Sequence, residues 1–199
     1  MLGNPSAVLS LVWIDYRLAL LFAVFIPLTL LIWSAVKRSE AISLVMTIYW
    51  RVSLLLGITV YLMIGGYAFS FITSLAAKAL ILISLWFWAD LNEEIREQPK
   101  RSLNLAFNAW RWAMTAYCAI GVVIQVLFLR CAFSDTFFAS ETCQAWLQPS
   151  VAFADIFHAN FESGFLGVMG IVALVFYALY LGYFLLVKLG RQGRSALNH

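Results

Sequence analysis

The sequence predicts an all-α integral membrane bundle of five transmembrane helices, with one short amphipathic helix on its outer surface. Three observations lead there. The 199 residues are 63% hydrophobic and 12% charged, with a mean hydropathy of +0.88, whereas soluble domains run at about 45–50% apolar and about 25% charged. Apolar runs recur along the chain at the length of ~20 residues that a helix needs to cross a bilayer. Lys and Arg sit in particular connections, with none between Cys131 and Val187, the asymmetry expected when basic segments stay cytoplasmic and translocated ones do not. The small net charge of +3 follows this topology, and no nucleic-acid partner is expected.

The elements follow in order as one transmembrane domain over 1–199. The first span covers about 13–36. Its apolar run has no basic segment before it and no small-residue cleavage site after it, so it is expected to remain in the mature protein. Pro27 should bend it, because proline removes a backbone N–H and its ring clashes with the turn before. Lys37 and Arg38 close the span on the inner side. The tail before Arg17 has no Lys or Arg and is expected outside. The second span, about 41–64, and the third, about 68–90, form a hairpin through Gly65 and Gly66, since glycine reaches positive φ at no steric cost. Trp86 and Trp88 fit an aromatic belt at the water interface. The charged segment Asp90 to Arg101 is the longest inner connection and reads as an extension of the third helix, laced by i, i+3 charge pairs and stopped by Pro99.

The fourth span covers about 103–129, with Arg130 at its outer edge. The outer region 131–163 divides into a polar loop, Cys131 to Gln148, and a helix, Pro149 to Ser163. On that helix Val151, Phe153, Ile156, Phe157 and Phe161 alternate with Asp155, His158, Asn160 and Glu162 near a 3.6-residue period. It is expected to lie flat on the outer surface. The fifth span, about 164–187, opens on Gly164, Gly167 and Gly170, a small-residue face for close helix contact, continued by Ala173, Ala178 and Gly182. Lys188, Arg191 and Arg194 close the chain inside, giving an outer N-terminus and a cytoplasmic C-terminus. Tyr49-Trp50-Arg51 and Trp110-Arg111-Trp112 form a faint internal echo compatible with a duplicated hairpin.

Groups able to carry chemistry are few. Arg51 and Lys78 fall near the middle of the second and third spans, where a basic residue costs ~2.5–3.5 kcal/mol on insertion scales. No acidic residue reads as lying deep in a span. Their counter-charges are therefore expected from backbone carbonyls, lipid head groups, another subunit or an anion. With Arg111, between two tryptophans near the inner interface, they are candidates for anion or anionic-lipid contact or for docking to an acidic group of a partner. The plainer alternative is snorkelling, with Arg51 stacked on Trp50 or Tyr49. Cys131 and Cys143 share a translocated loop, where a disulfide would contribute about 2–3 kcal/mol. Cys118 reads as a small core residue.

Asp155, His158 and Glu162 follow i, i+3, i+7 spacing. A set at that spacing can bind a metal ion, although it also describes an ordinary solvated helix face, and a lone membrane histidine such as His158 can ligate chlorophyll magnesium or haem iron. No cofactor beyond that chlorophyll candidate is predicted, and no metal site, since none of the cysteines has zinc spacing. Nothing matches Walker A, H-E-x-x-H, G-x-S-x-G or a catalytic Cys–His pair, so no catalytic residue is predicted.

The wording of several segments adds a resemblance. Asp15-Tyr-Arg-Leu-Ala, Ile26-Pro-Leu-Thr-Leu-Leu-Ile-Trp33, Lys37-Arg-Ser-Glu-Ala41, Ile48-Tyr-Trp-Arg-Val52 and Tyr61-Leu-Met-Ile-Gly65, then Trp86-Phe-Trp-Ala-Asp-Leu-Asn-Glu93 and Lys100-Arg-Ser-Leu103, resemble a cyanobacterial family of small multi-pass membrane proteins of unknown function. The resemblance implies the thylakoid or plasma membrane of an oxygenic phototroph and transfers no catalytic residue. The expected function is a non-enzymatic accessory or assembly component of a larger, photosynthetic membrane complex, in contact with membrane lipids and other integral membrane proteins. Two alternatives stand beside it: a small anion carrier or channel using Arg51 and Lys78, and a cofactor- or pigment-binding protein using His158 or the outer cysteines.

Overall fold

A computed structural model describes residues 5–97, 102–184 and 186, and every regular element among these is a helix. Four stretches, Ala7–Val36, Glu40–Ile64, Ser102–Leu127 and Ser163–Tyr183, are long and apolar enough to cross a membrane; a fifth, Ser70–Trp86 with Ala89–Glu97, qualifies if this pair, bent by 56°, counts as one span. Among the described residues the chain is thus all-helical, with four to five helices long and apolar enough to span a membrane. The last expected span reaches past the described residues, as do Lys100, Arg101, Lys188, Arg191 and Arg194.

The first span starts earlier than its hydropathy suggested. It comprises α1 (Pro5–Ala19), a π-helix (Leu20–Phe25) and α2 (Ile26–Val36), so Asp15 lies well inside it. The expected disturbance at Pro27 takes the form of the π-helix on its N-terminal side. Pro27 has no N–H, so the Ala23 carbonyl loses its α-helical donor. The Ile26 N–H reaches back to the Leu21 carbonyl, which in turn frees that of Phe22. Both carbonyls are satisfied from other helices: Tyr49 donates its hydroxyl to Ala23 at 2.9 Å and Trp110 its indole N–H to Phe22 at 2.8 Å. The two rings meet edge to face, centroids 5.0 Å apart. Tyr49 and Trp110, the first aromatic residue of each segment of the sequence echo, therefore converge on one turn of the first span.

The second span is α3 (Glu40–Ile64), and it packs against α4 (Ser70–Trp86) through the expected glycine turn. Gly66 adopts φ +70°, the left-handed region glycine favours. Gly65 meets the last span: a Cβ added there would stand 2.6 Å from the Gly167 Cα, and one at Gly170 would stand 3.0 Å from the Tyr61 Cβ. The small-residue face thus serves α3 at Gly167 and Gly170, while Gly164 and Gly182 have open space beside them.

At 17 residues, α4 rises about 25 Å, slightly less than a hydrocarbon core of about 30 Å. It does not continue into the charged segment. The chain breaks at Phe87 and Trp88, and α5 (Ala89–Glu97) turns away so that Leu91 and Ile95, 0% and 2% exposed, enter the core. Trp88 is buried in that core instead of joining an interfacial belt, and Glu93 and Arg96 form no ion pair with each other.

The fourth span is α6 (Ser102–Leu127). The outer stretch expected as a loop is instead wound into short helices, α7 (Arg130–Phe133), α8 (Asp135–Phe138) and α9 (Glu141–Ala145). They close over the bundle end with Val8 and Val12 of α1, Phe71, and Phe128 packed on Trp146. The surface helix is shorter than expected: α10 runs Gln148–Phe157 and stops before His158. Its small side, Pro149, Ser150 and Ala154, faces the bundle, while Val151, Ile156 and Phe157 remain exposed, the disposition of a helix whose large residues meet lipid. The last span is α11 (Ser163–Tyr183).

Candidate functional site

Lys78 sits on the buried side of α4, 3% exposed. The acidic partner that the sequence reading withheld from it is Asp15. The Lys78 Nζ lies 3.3 Å from both carboxylate oxygens, and the Tyr117 hydroxyl of α6 donates to Asp15 Oδ1 at 3.0 Å. The same ring stands 5.6 Å from the ammonium. A buried ammonium in a membrane needs a nearby negative charge, since desolvation alone would cost several kcal/mol per ion. Three helices supply the pieces: α1 the carboxylate, α4 the cation, α6 the phenol. Gly121 gives the lysine stem its room, since a Cβ there would stand 2.8 Å from the Lys78 Cδ. Cavities of about 280 and about 190 Å³ are both lined by Asp15, Lys78, Tyr117 and Trp146, and the Trp146 indole N–H is buried without a hydrogen-bond partner.

Arg111, also 3% exposed, is held differently. One guanidinium nitrogen, Nη2, donates to the Leu85 carbonyl at the end of α4 and to Asn92 Oδ1 on α5. The guanidinium centre lies 3.8 Å from the Trp86 ring centroid, a cation–π stack. Trp86 is fixed in turn by its N–H to Thr115 at 2.9 Å, and its ring packs on Trp112. Arg111 forms no ion pair with any described carboxylate, and its Nε is buried without a partner. A cavity of about 570 Å³ beside it is lined by Arg96, Asn104 and Asn108 among others.

Arg51 contrasts with both. It is exposed on α3, eleven residues from Glu40 and thirteen from Ile64, hence near mid-membrane. No hydrogen bond, ion pair or ring contact engages it among the described residues, so the expected stacking on Tyr49 or Trp50 is absent; Tyr49 instead turns inward. Neither cavity that reaches Lys78 includes Arg51, so the two do not build one site.

At the other end of α6, Cys131 and Cys143 are joined by a disulfide with Cα atoms 5.9 Å apart, and Cys118 is a buried free thiol. His158 lies just past α10, its Nε2 2.9 Å from the Tyr61 hydroxyl and its ring among Phe153 and Phe161. Because the helix ends before it, Asp155 and Glu162 no longer share a face with it. No group of three His, Cys, Asp or Glu side chains suited to a metal ion occurs among the described residues.

The family described as a protein of unknown function, DUF3177, matches residues 9–197, nearly the whole chain. The chain belongs to the DUF3177 family. No curated protein and no solved structure matches it. For this member of DUF3177, function has to be argued from its own buried and exposed charges.

Asp15 and Tyr117 are the site residues that sequence reading missed. The signal was present: Asp15 stands in the apolar run Leu-Val-Trp-Ile-Asp-Tyr, and a lysine in mid-span calls for such a group.

Proposed function

We propose that this protein is a non-enzymatic accessory component of a larger membrane complex, docking to a partner membrane protein through the lipid-facing side of α3 around Arg51. The observation that carries this reading is Arg51 itself, a cation exposed near mid-membrane with no partner among the described residues. A centrally placed charge facing lipid is costly, and a carboxylate on a neighbouring helix would remove the cost while fixing register. Lys78 supports the reading by contrast, because its charge is already balanced within the chain.

The setting proposed with it is the thylakoid or plasma membrane of an oxygenic phototroph, with the N-terminus and the disulfide end outside and the C-terminus cytoplasmic. A disulfide persists in an oxidising compartment, and Lys37, Arg38 and Arg96 lie in the opposite connections, in keeping with basic segments remaining inside.

Purification from native membranes in mild detergent tests the reading. The expected result is a defined complex that Arg51→Lys preserves, Arg51→Glu dissolves, and a compensating basic substitution at one partner carboxylate restores. A lone monomer under all conditions overturns it, as does a complex indifferent to Arg51→Glu. Retention of anionic lipid by Arg51, without protein, would assign the residue to snorkelling. A sample colourless from the near ultraviolet to the red would exclude a bound chlorophyll or haem at His158.

A further inference from the structure

The cavity beside Arg111 is independent of the Arg51 surface and has a different character. It is built where α4 breaks into α5 and both meet the first turns of α6. Arg111 lies nine residues from Ser102, about 13 Å along the helix at 1.5 Å per residue, so the cavity runs from the Ser102 end of α6 to a point inside the hydrocarbon layer. Two residues of its walls are held by hydrogen bonds: Asn104 donates to the Ile95 carbonyl at 2.8 Å and Asn108 to that of Asn104 at 2.9 Å.

Within these walls the charges do not balance. Among the described lining residues, Arg111 and Arg96 contribute two guanidiniums and Glu93 one carboxylate, an excess of one positive charge. Arg111 uses Nη2 alone for its hydrogen bonds and leaves Nε buried without an acceptor. An unpartnered donor on a buried guanidinium is an incomplete site, and an oxyanion such as a phosphate is a group to which its planar fork donates well. The rim continues onto apolar surface: Leu105 and Trp112, 73% and 63% exposed, line the same cavity. A polar, cationic pocket that opens onto a lipid-facing apolar strip matches a headgroup above acyl chains.

We infer that this cavity binds the phosphate of an anionic phospholipid, with Arg111 and Arg96 on the phosphate oxygens and the acyl chains passing Trp112 toward the bilayer centre. Free phosphate shares that chemistry and is separated from it by the test.

The experiment measures thermal stabilisation of the full chain in detergent by dioctanoyl-phosphatidylglycerol, dioctanoyl-phosphatidylcholine and inorganic phosphate. The glycerol lipid is expected to act at concentrations about tenfold lower than the choline lipid, because the choline ammonium offsets the phosphate charge and is repelled by the two arginines. Arg96→Gln should weaken it about threefold, as for a partly exposed charge. Glu93→Gln should tighten it, by removing the competing carboxylate. These two rim variants carry the test even if Arg111→Gln fails to fold. Stabilisation by inorganic phosphate alone, with the same two responses, would keep the oxyanion site and make its source soluble. Equal action of the two lipids with no effect of phosphate, or indifference to both rim variants, overturns the inference.

Discussion

Lys78 and Arg111 are equally buried cations on adjacent helices, and the bundle accommodates them by different means. Lys78 is a compact ammonium, and it is met by a full carboxylate with a phenol hydrogen-bonded behind it. Arg111 spreads its charge over a plane, and it is met by a carbonyl, an amide and an indole face. The difference follows from the cations themselves: an ammonium is strongly hydrated and concentrates its charge, while a guanidinium is weakly hydrated and stacks. Neutral partners therefore leave Arg111 able to take an anion. Lys78 has no such capacity to spare, which removes the motive for an anion path through it.

That contrast can be broken from either side. The largest effect is expected from Asp15→Leu, which strands the buried ammonium and should cost about 3 kcal/mol, read as a fall in the thermal midpoint in detergent. The double variant Asp15→Leu with Lys78→Met should return to within about 1 kcal/mol of the parent, because two apolar side chains replace the pair; a double variant as unstable as the single one would show that no charge pairing was lost. Arg111→Lys is expected to cost about 2 kcal/mol, since the lysine keeps the charge but loses the fork and the stack. Equal stability of the two would mean that charge alone matters there. Gly121→Ala should cost about 1 kcal/mol by crowding the lysine stem, and nothing measurable when Lys78→Ala has already removed that stem. The smallest effect is expected at Arg51→Leu, within about 0.5 kcal/mol, because this exposed side chain has no hydrogen bond, ion pair or ring contact among the described residues. A larger loss in the isolated protein would show an intramolecular role.

The parts of this architecture legible in the sequence were those set by periodicity and length. Apolar runs marked the spans, and Gly65-Gly66 and the glycines at 167 and 170 marked two close approaches. What stayed hidden depended on distant chain segments. The N-terminal limit of the first span was drawn at Trp13, close to Asp15, because an acidic residue lowers hydropathy whether it faces water or a lysine on another helix. The outer loop read as irregular because no single stretch of it has a helical period. Its short helices are held by Phe128 against Trp146 and by the Cys131–Cys143 bridge. Arg111 was assigned to an interface by its neighbours Trp110 and Trp112, yet its actual partners, Leu85, Trp86 and Asn92, lie 19 to 26 residues away.

The π-helix at Leu20–Phe25 has a bearing on all of this through angle. An α-helix turns about 100° per residue, and a π-turn absorbs one residue beyond the α-helical count. Relative to Pro27, everything upstream is rotated by that amount, Asp15 included. A chain one residue shorter between Leu20 and Phe25 would close as an ordinary α-helix and swing the carboxylate about 100° away from Lys78. The side chains of α4 and α6 around the lysine would be unchanged, and its counter-ion would be gone.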